Sequence, residues 1–275
     1  MPTTIGVFDS GFGGLTVLRA LMQRAPQARF AFLGDSARLP YGSKSRRTIA
    51  RYAAESARFL VEEQGADYLV IACNTASALA LDAIQEAVPS RVTVIGVIEP
   101  GAEAARRASK TGDVLVIATD ATVQSHAYAA ACRAHGLRAL EKACPLLVPL
   151  VEEGWTSHPV TAEVFRIYFD ELSREAAALG MNPDALVLGC THYPLLRPLI
   201  EQAIPHAMQA IDSAESAADK LVTYLGHDLG ATSAQTAADP VLSCFATDSV
   251  EKFERLGSRF LGRPVGKVEL VDLGG

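Results

Sequence analysis

The chain has no uncharged apolar run of the roughly 18 residues that a membrane-spanning helix requires, so none is expected. Its opening Met1-Pro2-Thr3-Thr4 has no basic region ahead of a leader, and a cytoplasmic location is expected. Basic residues are outnumbered, 25 against 31, and the net charge of −6 argues against a nucleic-acid partner, whose binding surfaces are basic and clustered. Arg46, Arg47 and Arg51 read as a solvated helix face. There is no CxxC and no histidine cluster at zinc spacing, so no metal is expected. The lysines are few and none sits at an evident strand end, which leaves pyridoxal phosphate chemistry without its Schiff-base residue; no cofactor is expected. Five cysteines, at 73, 132, 144, 190 and 244, are an odd number for a disulfide framework. In a reducing compartment they remain thiols.

Two of those thiols end matching phrases. Asp184-Ala185-Leu186-Val187-Leu188-Gly189-Cys190-Thr191-His192 repeats the pattern of Asp67-Tyr68-Leu69-Val70-Ile71-Ala72-Cys73-Asn74-Thr75 at an offset of 117 residues (190 − 73). Each reads as a parallel strand buried on both faces and delivering its cysteine at the carboxyl edge, where open α/β sheets bind ligands. A lone cysteine in an apolar strand is more often packing than chemistry. Two at the same point of two matched strands favour function and suggest an internal repeat of domain length.

The rest of the chain reads as alternating strands and helices. Thr4–Phe8 is a strand, Asp9 to Gly14 a turn, and Leu15, Leu18, Leu21 and Met22 mark a helix. The turn is no dinucleotide fingerprint, since GxGxxG needs glycine where Thr16 stands, and no GK[ST] follows. Its glycines suit approach of a small anion. Phe30–Leu33 is a second strand, 45–64 a helix, 77–87 a helix and 91–97 a strand, with Ile98-Glu99-Pro100-Gly101 as a hinge. The second half repeats the plan: strand 113–118, loop 119–122, helix 123–134, strand 138–142, an apolar run 145–154, helix 160–179, the Cys190 strand, a helical piece 195–203, strand 211–213 and helix 214–225. The stretch 226–238 reads as a loop. The expected fold is α/β, with two similar domains, each a mostly parallel sheet flanked by helices, and the active site in the cleft between them. Residues 1–98 with 212–275 form the first domain, the tail packing back, and 99–211 the second.

At the predicted strand ends stand Asp9, Ser10, Tyr41, Gly42, Cys73, Asn74, Thr75, Thr119, Thr122, Glu152, Cys190, Thr191 and His192, a set rich in donors around two thiols. If the halves face each other, one thiol removes a proton and the other returns one on the opposite face, which is what inverting a stereocentre needs. A Cys190–His192 amidase or acyl transferase is the competing chemistry, but it uses one thiol and leaves Cys73 unexplained. A binding or interaction protein ranks third, because regulation does not call for twin thiols.

The phrases Gly6-Val7-Phe8-Asp9-Ser10-Gly11, Pro40-Tyr41-Gly42, Ala72-Cys73-Asn74-Thr75-Ala76, Glu99-Pro100-Gly101, Val148-Pro149-Leu150-Val151-Glu152 and Cys190-Thr191-His192-Tyr193-Pro194 occur in order through the first 215 or so residues. With them the chain resembles the cofactor-independent glutamate racemases. The resemblance implies interconversion of L- and D-glutamate without pyridoxal phosphate or metal, supplying D-glutamate for bacterial peptidoglycan, by a cytoplasmic protein that commonly forms a homodimer. It implies that Cys73 takes the α-proton of the D-isomer and Cys190 that of the L-isomer. Asp9 would support Cys73, and Glu152 and His192 would support Cys190, with Glu153 adjoining. Asp9, Ser10, Tyr41, Gly42, Asn74, Thr75, Thr119, Thr122, Thr191 and His192 would bind the amino acid. Relatives acting on aspartate or hydantoins share the twin-cysteine plan and are the alternative within the class.

Overall fold

The computed structural model describes residues 3–228 and 240–274. They divide into two compact units, Met1–Val97 with Ala214–Gly275, and Ile98–Ser213.

The first unit begins with β1 (Thr4–Asp9), α1 (Leu15–Arg24), β2 (Arg29–Gly34), α2 (Arg46–Arg58), β3 (Tyr68–Ile71), α3 (Asn74–Leu79), α4 (Leu81–Ala87) and β4 (Thr93–Gly96). The second runs through α5 (Ile98–Ala108), β5 (Asp113–Ala118), α6 (Asp120–Ser125), α7 (Ala127–Ala134), β6 (Arg138–Ala143), α8 (Leu147–Glu152), α9 (Pro159–Ala178), β7 (Ala185–Gly189), α10 (Arg197–Ala203) and β8 (Gln209–Asp212). The last elements are α11 (Ser213–Asp228), β9 (Val241–Ala246), α12 (Val250–Leu261) and β10 (Val268–Leu270).

Every strand pairing among the described residues is parallel. The first sheet has the order β10-β9-β2-β1-β3-β4 and the second β6-β5-β7-β8. The chain leaves β1 towards β2 on one side and returns to β3 on the other, so the strand order reverses between β1 and β3, and likewise between β5 and β7. Loops at such a reversal splay apart and leave a crevice at the carboxyl ends. The strands at both reversals are almost wholly buried, which explains their unbroken apolar reading.

In the first sheet, Phe8, Leu33, Leu69 and Ile71 share a core with Ile49, Ala53 and Ala57 of α2. On the other side Phe32 meets Phe253 of α12 at 5.9 Å between ring centroids, and Phe12 meets the same ring edge-on at 6.1 Å. The tail therefore completes this unit twice, with β9 along β2 and with α12 over a sheet face.

Several sequence expectations change. The helix expected over 77–87 is two, α3 and α4, broken at Ala80 where the backbone leaves helical angles (φ −132°). That expected over 123–134 is also two, because His126 adopts a left-handed conformation (φ 53°). The Thr119–Thr122 loop is the cap and first turn of α6. Ile98-Glu99-Pro100-Gly101 opens the second unit, as the hinge reading placed it, but does so as the first turn of α5, where proline is tolerated because first-turn N–H groups have no intrahelical partner. The run 145–154 contains α8, the 91–97 strand shrinks to β4, and the 45–64 helix is α2 followed by a wider turn over Phe59–Glu63. Of the expected loop 226–238, the first three residues continue α11 and 229–238 lie outside the described residues.

Gly14 is required by close approach. A Cβ there would lie 2.5 Å from Asp9 Cβ and 2.9 Å from Ala72 Cβ. Gly14→Ala is expected to cost about 1–3 kcal/mol through overpacking between the ends of β1 and β3. A lower urea midpoint at unchanged m-value is the result that checks it.

Candidate functional site

Asp9 is the last residue of β1, and is buried; its Oδ2 accepts the Gly11 N–H at 2.9 Å. Ser10 follows. Cys73 caps α3 from the neighbouring strand end, its sulfur accepting the Ala76 N–H at 3.4 Å and donating to Ser10 Oγ at 3.4 Å. Burial pushes the Cys73 thiol up to about 12, the negative charge of Asp9 adding to the effect against the hydrogen bonds from Ser10 and Ala76. This thiol is held protonated. Asn74 and Thr75 are buried in the first turn behind it.

Tyr41 is also buried, but its hydroxyl is committed: it donates to Asp35 Oδ2 at 2.5 Å. What this segment leaves for a ligand is its backbone and half-buried Gly42. Burial first, and then the adjacent Asp35 carboxylate, raise the Tyr41 phenol far above its ordinary range.

The other thiol, Cys190, follows β7 and is buried. Gly189 before it is held by space, since a Cβ would lie 2.9 Å from both the Ile117 carbonyl oxygen and a ring carbon of Tyr128. Cys190 Sγ lies 3.8 Å from His192 Nδ1, Thr191 Oγ1 lies 3.4 Å from the same nitrogen, and His192 Nε2 lies 3.2 Å from Glu152 Oε1. Burial alone would lower the imidazole, but the hydrogen bonds to Cys190 and Glu152 outweigh it and raise His192 from 6.5 to about 10. His192 is thus an imidazolium at neutral pH, and both ring nitrogens donate. Of the two adjacent carboxylates it is Glu152, at the end of α8, that reaches the ring; Glu153 is exposed. Tyr193 fixes the loop, its hydroxyl lying 3.1 Å from the Ala118 carbonyl oxygen and 3.0 Å from that of Cys144. Thr119 and Thr122 form their own pair, with 2.9 Å between hydroxyl oxygens.

Strand register aligns the two thiol sites. Phe8 pairs with Ile71 in the first sheet and Ile117 with Leu188 in the second, and Leu188 is 117 residues beyond Ile71 (188 − 71). Ser10 therefore corresponds to Thr119, Asn74 to Thr191 and Thr75 to His192. Asp9 corresponds to Ala118. One thiol has a carboxylate from the neighbouring strand end; the other has alanine there and takes its support from His192 and Glu152. The environments are matched in position and differ in make-up, a carboxylate beside Cys73 and an imidazole–carboxylate pair beside Cys190.

Residues 14–221 match the Asp/Glu/Hydantoin racemase family. The chain belongs to this family. Within these racemases it is 53% identical to a glutamate racemase of Koribacter versatilis, over 98% of each chain. It is similar to the solved glutamate racemase of Francisella tularensis in complex with D-glutamate, at TM-score 0.87 and 35% identity over 98% of both chains. A Picrophilus torridus aspartate racemase shares the fold alone, with TM-score 0.56 and 18% identity, covering 82% of this chain and 94% of that one. Asp35, which accepts the Tyr41 hydroxyl, escaped strand-end reasoning although it stands one position beyond the end of β2, next to the Gly34 that pairs with Asp9.

Proposed function

We propose that the chain interconverts L- and D-glutamate, with Cys73 and Cys190 as alternating acid and base, and so supplies D-glutamate for peptidoglycan. The observation that carries the reading is the pair of thiols at register-equivalent strand ends, one beside the Asp9 carboxylate and the other beside the His192–Glu152 pair. A two-base inversion needs one protonated group and one base at the outset. Cys73, buried beside Asp9, is the acid. Cys190 is the base, with the His192 imidazolium as counter-charge for its thiolate and Glu152 holding the ring.

The Cys190 thiolate removes the α-proton of L-glutamate as the S–H bond forms and the C–H bond breaks. The electron pair left on Cα is delocalised into the adjacent carboxylate, and Cys73 delivers its proton to the opposite face. Hydrogen-bond donors of Ser10, Gly42, Asn74, Thr75, Thr119, Thr122 and Thr191 stabilise the developing charge. The D-isomer runs the same steps backwards, starting from the protonation form that the forward direction leaves, with the proton on Cys190 and the Cys73 thiolate as base.

The substrate reading rests on the high identity to glutamate racemases; the aspartate-acting relative shares only the fold. The resemblance also supports a homodimer, and five free cysteines suit the cytoplasm. Among the described residues no helix is long and apolar enough to cross a membrane.

The test is incubation with L- and D-glutamate in D2O, using metal-free and pyridoxal-free protein, followed by circular dichroism and mass spectrometry. Inversion with one solvent deuteron at Cα is the expected result. Inversion of aspartate alone would overturn the substrate, and no exchange with any amino acid would overturn the two-base reading.

A further inference from the structure

Asp35 is a fully buried carboxylate at the end of β2 whose donors come from two distant parts of the chain. Arg38 Nε reaches both oxygens at 2.9 and 2.8 Å, and the Tyr41 hydroxyl reaches Oδ2. The remaining donor to Oδ1 is Thr247 Oγ1 at 2.9 Å, from the loop after β9, which in turn accepts the Ala37 N–H at 3.0 Å. Beside it Ser36 Oγ donates to the Asp248 carbonyl at 2.7 Å and accepts the Asp248 N–H at 2.9 Å. These bonds fasten the 35–38 turn, which leads into Tyr41–Gly42, to a loop more than 200 residues later. The Asp35 N–H donates to the Asp9 carbonyl at 3.0 Å, so the same turn abuts the strand end beside Cys73.

We infer that Thr247 is a positioning residue for the Tyr41–Gly42 segment, through Asp35, and that the loop after β9 thereby sets substrate affinity. The inference rests on the reading that Tyr41–Gly42 lines the glutamate site. Asp35 is fully buried and has no solvent to replace a lost donor, so removing the Thr247 hydroxyl leaves a buried carboxylate oxygen short of a partner, while the exposed Ala37 N–H turns to water instead. The relief available is movement of the 35–42 segment. Such movement displaces groups that hold bound substrate, while Cys73 keeps its own bonds to Ser10 and Ala76 and Cys190 keeps its His192–Glu152 pair.

Thr247→Val keeps the volume and removes the hydroxyl. It is expected to raise KM for both glutamate isomers about tenfold, the value of one hydrogen bond to a charged group, with kcat within about threefold of the parent. Thr247→Ser, which restores the hydroxyl, is expected to return KM to the parent value. Should the valine variant be insoluble, Ser36→Ala cuts both bonds to Asp248 without touching the carboxylate, and about a threefold rise in KM is expected. An unchanged KM, a fall in kcat at unchanged KM, or a serine variant as weak as the valine one would overturn the inference. None of these bears on the two-base reading, which fails separately if Cys73→Ser racemises normally.

Discussion

Cys73→Ser and Cys190→Ser are each expected to lower racemisation of glutamate by more than about 10³-fold, because a serine hydroxyl is neither a base nor an acid at the strength the α-proton demands. The loss follows from the chemistry rather than from unfolding. Cys73 is the N-cap of α3, a position where serine is among the preferred residues, and its oxygen can accept the Ala76 N–H now directed at sulfur. The double variant is expected to be no worse than either single one, since inversion needs both groups and losing one already stops it. D-glutamate is expected to bind the single variants as tightly as the parent, because the groups that hold its carboxylates and ammonium are untouched. Circular dichroism reads the inversion and titration calorimetry the binding. A single serine variant that still inverts glutamate at the parent rate would end the two-base proposal.

The twin strands were legible because burial on both faces leaves an unbroken apolar run that stops where the chain emerges, and the cysteines mark that point. The repeat they announced extends to sheet order: β2-β1-β3-β4 and β6-β5-β7-β8 are the same arrangement. The breaks at Ala80 and His126 were not legible, since neither glycine nor proline marks them and the backbone angles there answer to packing. Glu152 and Glu153 were indistinguishable in sequence. Only the end of α8, with Leu147 and Val151 buried, turns Glu152 to His192 and leaves Glu153 in solvent. The bond between Thr247 and Asp35 joins residues 212 positions apart, and no periodicity relates two hydroxyl and carboxylate groups at that separation. Periodicity reports which face of an element is buried; it is silent on which distant loop supplies a buried carboxylate's last donor.

Changing His192 is expected to leave its mark in two independent ways. His192→Asn keeps a polar side chain but cannot hold the positive charge, so the Cys190 thiolate loses its counter-charge and Glu152 its partner. A fall in kcat/KM of about 10²-fold is expected, the lower end for a group that tunes a proton transfer. Enantiomers have equal free energy, so the equilibrium constant is unity and kcat/KM must fall by the same factor in both directions. The asymmetry between the two thiols can appear only in kcat and KM taken separately. The second mark is on stability. The folded-state value of His192, about 10, lies above its ordinary 6.5, so the native protein binds this proton more tightly than the unfolded chain. Its contribution is therefore fully present below pH 6.5, declines as pH rises, and is gone once pH passes about 10. The buried thiols of Cys73, Cys132, Cys144 and Cys244 are each pushed from 9 to about 12, so their own losses begin only above pH 9. Between pH 6.5 and 9 the parent protein is expected to lose more stability than His192→Asn, as read by urea midpoints across that interval. Parallel midpoint curves would mean that His192 is not held as an imidazolium, and Cys190 would then need another source for its counter-charge.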